Sequence, residues 1–273
     1  MAAGDIYQVV GGIKGRSGVA LLGGASDDGV QIDSFMAARV AANDTTGTFS
    51  IWFNVADIAG DYAIIGGGDE SAVQYFYISM TAGQIHAKAA LVGPDVCWDL
   101  VSTDAVIRPH EWHLVTFVQD AVKPVIYLDG VRLTLTETDI TEPTYWFDTF
   151  ALIDGGHIGC ADSIAGGAAL TLELKGAVGE TKYWNAALTA DEVLENYKEG
   201  GTTTNLIAKW DMHDDYVDSV GGEDGTAVGD VILTDNYSEF TSKLRNLAVP
   251  LVADDISISV ENDTGYAIVV KAA

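Results

Sequence analysis

The chain is poor in cysteine, proline and basic residues. Of its 273 residues two are cysteine and five are proline, and 14 lysines and arginines stand against 40 aspartates and glutamates. Cys97 and Cys160 alone do not make a disulfide framework, so we expect both thiols to be reduced. The net charge of −26 opposes binding to phosphate backbones and to anionic lipid surfaces. Nucleic acid and membranes are therefore excluded from the predicted partners.

Long apolar runs and reactive sequence motifs are also missing. No run approaches the roughly 18 apolar residues that cross a bilayer, and the first ten residues lack the basic and apolar regions of a signal peptide. We therefore expect a chain that is made in the cytoplasm and carries no export signal. The sequence contains no nucleophile elbow, P-loop, dinucleotide fingerprint or Cys-His arrangement, which excludes the enzyme classes that depend on them.

What the chain does contain is alternation at the period of a β-strand. In residues 111–133, "EWHLVTFVQDAVKPVIYLDGVRL", both faces of the first strand are largely apolar, and an Asp129-Gly130 turn closes the second. A strand that is apolar on both sides lies between two layers. With 48% hydrophobic residues and 30 glycines, the chain predicts an all-β protein, a two-sheet antiparallel sandwich.

Strand-like runs recur along the chain between Gly, Asp, Asn and Ser clusters. They lie at 17–22, 29–33, 47–54, 61–66, 72–80, 84–90, 112–119, 123–136, 169–184 and 204–210. One short helix is predicted in "LTADEVLENYKEGG", where Thr189 and Glu192 form a capping box, Leu188 and Val193 form a hydrophobic staple, and Gly200 ends the helix.

The C-terminal part of the chain has a different character. After Trp210 an acidic stretch follows, which we interpret as a solvated loop, and beyond Pro250 come the strand-like runs "ISISVE" and "YAIVVKA". We therefore divide the chain into a sandwich domain, residues 1–212, and a C-terminal β extension, residues 213–273. An isolated hairpin is marginal in water, so this extension is expected to pair with a sheet edge, either of its own domain or of a neighbouring subunit.

The order of several motifs resembles a known family. "FSIWFNV" at 49–55, "EWHLVTFVQD", "VIYLDGVRL", "GHIGCADSIAGG" and "LKGAVGETKYWNAALTADEVLENY" follow one another as in the pentraxin and laminin-G-like family of concanavalin A-type jelly rolls. The resemblance covers roughly residues 25–212 and implies a jelly-roll fold. In that family ligands bind through calcium, and the matching loops here carry Asp69, Glu70 and Asp162, which the resemblance implies as calcium ligands. The alternative is that these residues lie in solvated loops.

Two further features bear on function. The jelly-roll architecture also hosts glycoside hydrolases with a Glu-x-Asp-x-x-Glu strand, and Glu137 to Glu142 has that spacing. Because Pro143 ends this hexamer and its place in the family order is a loop, we expect no catalysis. The segment "PTYWFDTF" at 143–150 gathers four aromatic residues; core filling is the default interpretation, and Tyr145 and Trp146 are the candidates for ligand binding.

A fold that usually acts outside cells occurs here without an export signal or a disulfide. This combination leads to the hypothesis of a phage virion component, a capsid decoration or a tail or spike protein, that binds neighbouring virion or capsid proteins and forms a homo-oligomer. The alternative is a carbohydrate-binding module of a cellular protein with a glycan as ligand. A glycoside hydrolase is the third and least favoured hypothesis.

Overall fold

The computed structural model describes residues 28–69, 71–91, 95–162 and 170–233 with their side chains, and the backbone of residues 7–9, 19–23, 234, 256–260 and 268–272. The chain forms two compact units. One is Ser17–Asp235, and the other combines Met1–Arg16 with Asn236–Ala273.

The described elements are mostly strands. In chain order they are β1 (Tyr7–Val9), β2 (Val19–Gly23), β3 (Gly29–Gln31), α1 (Asp33–Ala42), β4 (Gly47–Val55), β5 (Asp61–Gly68), β6 (Tyr75–Thr81), β7 (Gln84–Ala90), β8 (Val96–Ser102), β9 (Trp112–Gln119), β10 (Val125–Leu128), β11 (Val131–Arg132), β12 (Leu135–Asp139), β13 (Gly155–Ile158), β14 (Ala161–Asp162), β15 (Leu170–Thr171), β16 (Lys175–Trp184), α2 (Ala190–Glu199), β17 (Leu206–Trp210), β18 (Thr226–Val228), β19 (Ile232–Thr234), β20 (Ile256–Val260) and β21 (Ile268–Ala272).

The larger unit is a sandwich of two antiparallel sheets. The first sheet has the order β11-β10-β9-β4-β16-β2-β19, with β17 also paired to β16, and the second has the order β12-β8-β7-β6-β5-β13-β3-β18. A small hairpin, β14–β15, is separate from both. The predicted all-β, two-sheet antiparallel architecture is confirmed.

Alternating side chains of the two sheets meet in one core that is rich in aromatic rings. Phe117 belongs to this core, whereas Tyr127 and Trp184 are buried in a second cluster with Val193 of α2. Trp52 is 6% exposed. Trp112 is only half-buried, because it starts β9 and points to the outer face of the first sheet, beside Gly179. The predicted turn is present as well, since Asp129 and Gly130 both have positive φ, 51° and 77°.

Helix α2 forms as the sequence predicts. The Thr189 side chain accepts a hydrogen bond from the Glu192 backbone N–H, the Glu192 carboxylate accepts one from the Thr189 N–H, and Gly200 ends the helix in the left-handed conformation. Leu188 and Val193 pack together with Trp184 on the outer face of the first sheet. The helix therefore covers part of that face.

Helix α1 was not predicted, so the expectation of one short helix is corrected to two among the described residues. Its N-cap is Ile32, whose side chain makes no capping hydrogen bond, and this removes the usual signal of a helix start. The C-terminal signal was available, because Asn43 ends the helix with φ of 59°. Phe35 and Met36 anchor the helix in the core.

The sandwich unit extends beyond the predicted boundary at residue 212. Strand β18 pairs with β3 and β19 pairs with β2, so residues 226–234 belong to the two sheets rather than to the extension. The acidic stretch before them is only partly a solvated loop. Asp218 is 4% exposed, and its carboxylate accepts hydrogen bonds from the backbone N–H groups of Lys209, Gly221 and Glu223.

The smaller unit contains a three-stranded antiparallel sheet of order β1-β21-β20. The two C-terminal strand-like runs do pair with each other, from Ile256 opposite Ala272 to Val260 opposite Ile268. An N-terminal strand, β1, which was not predicted, supplies the third member. The predicted turn at residues 262–265 lies outside the described residues, and docking of this unit to a partner stays a prediction.

Cys97 and Cys160 are both buried, and no disulfide joins them. Burial raises the pKa of the Cys97 thiol to about 11, which keeps it in the protonated, weakly nucleophilic form. Neither α1 nor α2 is long and apolar enough to cross a bilayer.

Candidate functional site

The outer face of the second sheet carries a distinctive group of polar and aromatic side chains, which are half-buried or buried. Tyr75 and Tyr77 lie on β6, His86 and Lys88 on β7, and Asp99 on β8. These five residues are called the tyrosine face below. In the antiparallel register Tyr77 is opposite Lys88, and Lys88 is opposite Asp99, so the three form a row across neighbouring strands.

The rings of the tyrosine face are ordered against one another. Tyr75 and Tyr77 are stacked, with ring centroids 5.9 Å apart and planes 5° apart, and the His86 ring meets Tyr77 edge-on at 5.5 Å. Tyr75 is half-buried, whereas Tyr77 is 8% exposed. Tyr75 therefore offers the accessible aromatic surface, and the Tyr77 ring stacks beside it.

Charge is concentrated beside the rings. One oxygen of Asp99 lies 2.8 Å from His86 Nε2, and the other accepts a hydrogen bond from Lys88 Nζ at 2.9 Å. Burial works against the charged form of Asp99, but the hydrogen bonds from Lys88 and His86 outweigh it and lower the pKa of Asp99. Burial likewise opposes the charged form of Lys88, and Asp99 reverses that effect, so that the Lys88 pKa is raised. Lys88 and Asp99 therefore both stay ionised over a wide pH range.

Asp99 should therefore contribute to stability in a pH-dependent way. The pKa of Asp99 in the folded protein lies below 3.8, the ordinary value for an aspartate side chain. The contribution of Asp99 to stability is therefore present above pH 3.8 and disappears as the pH falls through the pKa of the folded state. We expect the difference in unfolding free energy between the wild type and Asp99→Asn to be largest near neutral pH and to vanish in acid. Denaturant titrations of both proteins at several pH values measure it. A difference that is constant with pH would contradict the assignment.

A hairpin forms a wall along the tyrosine face. Ala161, in β14, packs with Tyr77 and with Ala63 of β5, and Leu172 packs against the same group. Strand β14 lies close to β5 because Gly66 of β5 lacks a side chain. A Cβ at Gly66 would lie 2.9 Å from the Ala161 Cα. The tyrosine face is thus bounded on one side by backbone rather than open to solvent all round.

The residues that the resemblance implied as calcium ligands are differently engaged. Asp69 is 5% exposed, and its Oδ1 accepts hydrogen bonds from the Ser71 N–H, the Ser71 hydroxyl and the Ala72 N–H in its own turn. Glu70 lies outside the described residues. Asp162 is 5% exposed and its Oδ2 lies 3.1 Å from His157 Nδ1. The predicted calcium set of Asp69, Glu70 and Asp162 stays a prediction.

Asp162 belongs to another cluster. Asp33, His157 and Asp162 each offer one metal-ligating atom, and these atoms lie within 4.8 Å of one another; Asp69 is not part of this group. The structure therefore brings Asp162 together with two residues that the sequence had not singled out.

The aromatic segment at 143–150 is mainly core. Trp146 is fully buried, and its Nε1 donates a hydrogen bond to the Tyr183 hydroxyl at 3.1 Å, so Trp146 is not accessible to a ligand and its candidacy is corrected. Phe147 and Phe150 are buried as well. Tyr145 is half-buried and remains accessible in part.

Glu137 and Glu142, the glutamates with glycosidase spacing, lie on the surface. Glu137 lies on β12, at the edge of the second sheet, rather than in the predicted loop. Its side chain is exposed and forms an ion pair with Lys123, and Glu142 is exposed too. A retaining glycosidase needs two carboxyl groups on either side of the scissile bond, one of them with a raised pKa.

The sequence reasoning missed β8, and with it Asp99. The run "VCWDLVS" has strand-forming residues, and Asp99 interrupts an otherwise apolar stretch. A charged residue within such a run is a usable signal, because it is tolerated only where a partner lies on the neighbouring strand. That partner, Lys88, is known only once the register of β7 and β8 is known.

Comparisons with known proteins agree with this architecture. The chain belongs to the concanavalin A-like lectin/glucanases superfamily, whose laminin-G-type family model matches residues 23–194. The resemblance seen in the sequence is thereby confirmed. No curated protein shows significant sequence similarity to this chain.

Solved structures of similar fold include a carbohydrate-binding module and larger enzymes. The CBM40 module of the Ruminococcus gnavus IT-sialidase, bound to α2,3-sialyllactose, superposes with a TM-score of 0.53 at 14% identity, covering 67% of this chain and 98% of the module. The NanB sialidase of Streptococcus pneumoniae gives 0.52 at 18% identity, covering 65% of this chain and 27% of that chain. A leech intramolecular trans-sialidase gives 0.52 at 17% identity, covering 66% of this chain and 28% of that chain. About two thirds of the present chain thus matches nearly the whole module and about a quarter of each enzyme.

Proposed function

We propose that this chain is a non-catalytic carbohydrate-binding module and that the tyrosine face is its binding surface. The observation that carries the proposal is the combination of stacked Tyr75 and Tyr77 rings with a row of ionised side chains, Lys88 and Asp99, on three adjacent strands. The apolar face of a sugar ring packs against an aromatic ring, and charged side chains make strong hydrogen bonds to its hydroxyl groups.

The location supports the same proposal. On the first sheet, α2 covers the polar residues Ser50 and Thr116, and Asn196 of the helix donates a hydrogen bond to Ser50 at 2.7 Å. The outer face of the second sheet keeps its half-buried polar and aromatic groups accessible. Rigid strands hold the binding groups in place, which limits the entropy lost on binding. The similarity to a sialyllactose-binding module is a further, weaker support.

Glycan binding can be measured with the purified chain. We expect saturable binding to at least one member of a panel of sialylated, uronic-acid-containing and neutral oligosaccharides, with no release of reducing ends. Calorimetry with that glycan should show affinity lowered at least about tenfold by Tyr75→Ala and by Lys88→Met, since each removes about 1.4 kcal/mol or more of contact energy. Tyr75→Phe keeps the ring and should retain most of the affinity.

Tyr145→Ala separates the two candidate surfaces. Because Tyr145 is not part of the tyrosine face, the substitution should leave glycan affinity within about twofold of the wild type. Loss of binding in Tyr145→Ala with normal binding in Tyr75→Ala would move the site to the segment at 143–150. Absence of binding across the whole panel, or hydrolysis of a glycan, would overturn the proposed function.

The setting of the protein stays a prediction. A phage virion component, bound to neighbouring virion or capsid proteins and assembled as a homo-oligomer, is a hypothesis drawn from the sequence alone. A carbohydrate-binding module fits either a virion or a cellular protein, so the proposed function does not depend on that choice. Calcium at Asp69, Glu70 and Asp162 likewise stays a prediction from the family resemblance.

A further inference from the structure

The cluster of Asp33, His157 and Asp162 is built from three separate elements. Asp33 is the first residue of α1, His157 lies in β13, and Asp162 lies in β14. The three candidate ligand atoms lie within 4.8 Å of one another, although Asp33 and His157 are 124 positions apart in the sequence (157 − 33). His157 and Asp162 are each 5% exposed.

The distance between His157 and Asp162 suits two ligands of one ion. His157 Nδ1 and Asp162 Oδ2 lie 3.1 Å apart. Two ligand atoms of a tetrahedral zinc site, each 2.0–2.1 Å from the metal, are separated by about 3.3 Å. The distance between His157 and Asp162 also suits an ordinary hydrogen bond. The cluster differs from a simple His-Asp pair because it contains a second carboxylate, that of Asp33.

A second carboxylate changes the electrostatic balance. In the pair of His113 and Asp129, the Asp129 carboxylate also accepts a hydrogen bond from the backbone N–H of Leu114, at 2.8 Å. Around His157 the third group is instead Asp33, and two carboxylates this close repel each other in a partly dry environment. A divalent cation between them turns that repulsion into attraction, because both carboxylates become ligands.

The carboxylate of Asp33 is also oriented from outside the cluster. Its Oδ1 accepts a hydrogen bond from the Gly156 N–H at 2.9 Å, and its Oδ2 accepts one from Gln31 Nε2 at 2.6 Å. Each carboxylate oxygen has two lone pairs, so both keep one for a metal. Outer hydrogen bonds that aim a ligand in this way are typical of metal sites.

We propose that Asp33, His157 and Asp162 bind one divalent transition-metal ion of the Zn²⁺ type. A histidine nitrogen with two carboxylate oxygens is a donor set for zinc with water in the fourth position, whereas calcium takes six to eight oxygen ligands. The ion joins α1, β13 and β14, and so fixes the hairpin that bounds the tyrosine face. The site shares Asp162 with the calcium set expected from the family resemblance but replaces Asp69 and Glu70 with Asp33 and His157. It is independent of glycan binding.

The test uses the full chain, freed of metal with a chelator and titrated with Zn²⁺ in a calorimeter. We expect one ion per chain, a melting temperature several degrees higher with zinc, and visible absorption of the tetrahedral type when Co²⁺ is used instead. Asp33→Asn and His157→Gln should each weaken zinc binding at least about 100-fold, and Gln31→Ala, which removes only an orienting hydrogen bond, about 10–100-fold.

Two further variants sharpen the test. Gly155→Ala leaves all three ligands in the sequence, but its Cβ would overlap the Asp162 carboxylate, so zinc binding should fall sharply. His213→Gln removes an exposed histidine of the acidic loop, the place where zinc would bind adventitiously, and should leave the affinity unchanged.

The outcomes are separable. If the wild type binds no zinc with one-to-one stoichiometry, or if His213→Gln rather than Asp33→Asn abolishes binding, the proposal is wrong whatever the variants do to folding. If calcium alone stabilises the protein, and Asp162→Ala but not His157→Gln removes the effect, the calcium set stands in its place. Neither result bears on glycan binding by the tyrosine face.

Discussion

Replacing Trp146 with alanine is expected to lower the free energy of unfolding by about 3–5 kcal/mol. Trp146 is fully buried, and its ring lies within 4.8–6.0 Å of four phenylalanine rings, Phe49, Phe76, Phe117 and Phe147, measured between centroids. Alanine removes these contacts, leaves a cavity that the two sheets cannot close, and takes away the hydrogen bond to Tyr183. Because a domain is stable by only about 5–15 kcal/mol, the variant should unfold at much lower urea concentration.

Tyr145→Ala is the matched control, since it removes an aromatic ring from the neighbouring position of the same segment. Tyr145 is half-buried, so the expected loss is about 1 kcal/mol or less. Urea unfolding followed by tryptophan fluorescence and by circular dichroism measures both variants. If Tyr145→Ala costs more than Trp146→Ala, the placement of this segment against the core is wrong.

Replacing Lys182 with methionine is expected to cost about 3–5 kcal/mol, the range for removing one partner of a buried ion pair. The Lys182 side chain is 5% exposed, and Nζ lies 2.6 Å from Glu180 and donates to the Gly200 carbonyl oxygen at 2.8 Å and to Asn196 at 3.4 Å. Methionine fills a similar volume but has no donor, so the carbonyl that ends α2 and the Glu180 carboxylate lose this partner.

Lys209→Met is the control for this substitution, because Lys209 forms an ion pair with the same Glu180, at 3.4 Å, and another with Asp211. Its side chain is 28% exposed, and partly exposed pairs contribute about 0–1 kcal/mol. Adding Glu180→Gln to Lys182→Met should recover part of the loss, since it removes the remaining charge. Equal effects of Lys182→Met and Lys209→Met would show that burial does not set the strength of this pair.

Most of the architecture could be predicted because its signals are local. The alternation in β9 and β10 and the Asp129-Gly130 turn depend on residues a few positions apart, and so do the capping box and Gly200 end of α2. Where the local signal was weak, the prediction failed: α1 lacks a capping side chain at its start, and β8 was passed over. The ordered series of family motifs supplied the jelly-roll class, which the family match confirms.

The candidate sites depended on the tertiary structure. The segment at 143–150 is irregular, so no sequence period indicates whether Tyr145 or Trp146 is the buried ring. Trp146 is the buried one because it packs against Phe49 and Phe117. The tyrosine face joins residues of three strands, and only the register places Tyr77, Lys88 and Asp99 in one row.

The sequence by itself therefore determined the class of fold and the position of α2, since these follow from composition and from neighbours along the chain. The tertiary structure alone decided which polar side chains meet. Asp33, His157 and Asp162 converge because α1, β13 and β14 are brought together by sheet pairing and core burial. Contacts between residues more than a hundred positions apart arise from the summed packing of the whole domain, and no local pattern encodes them.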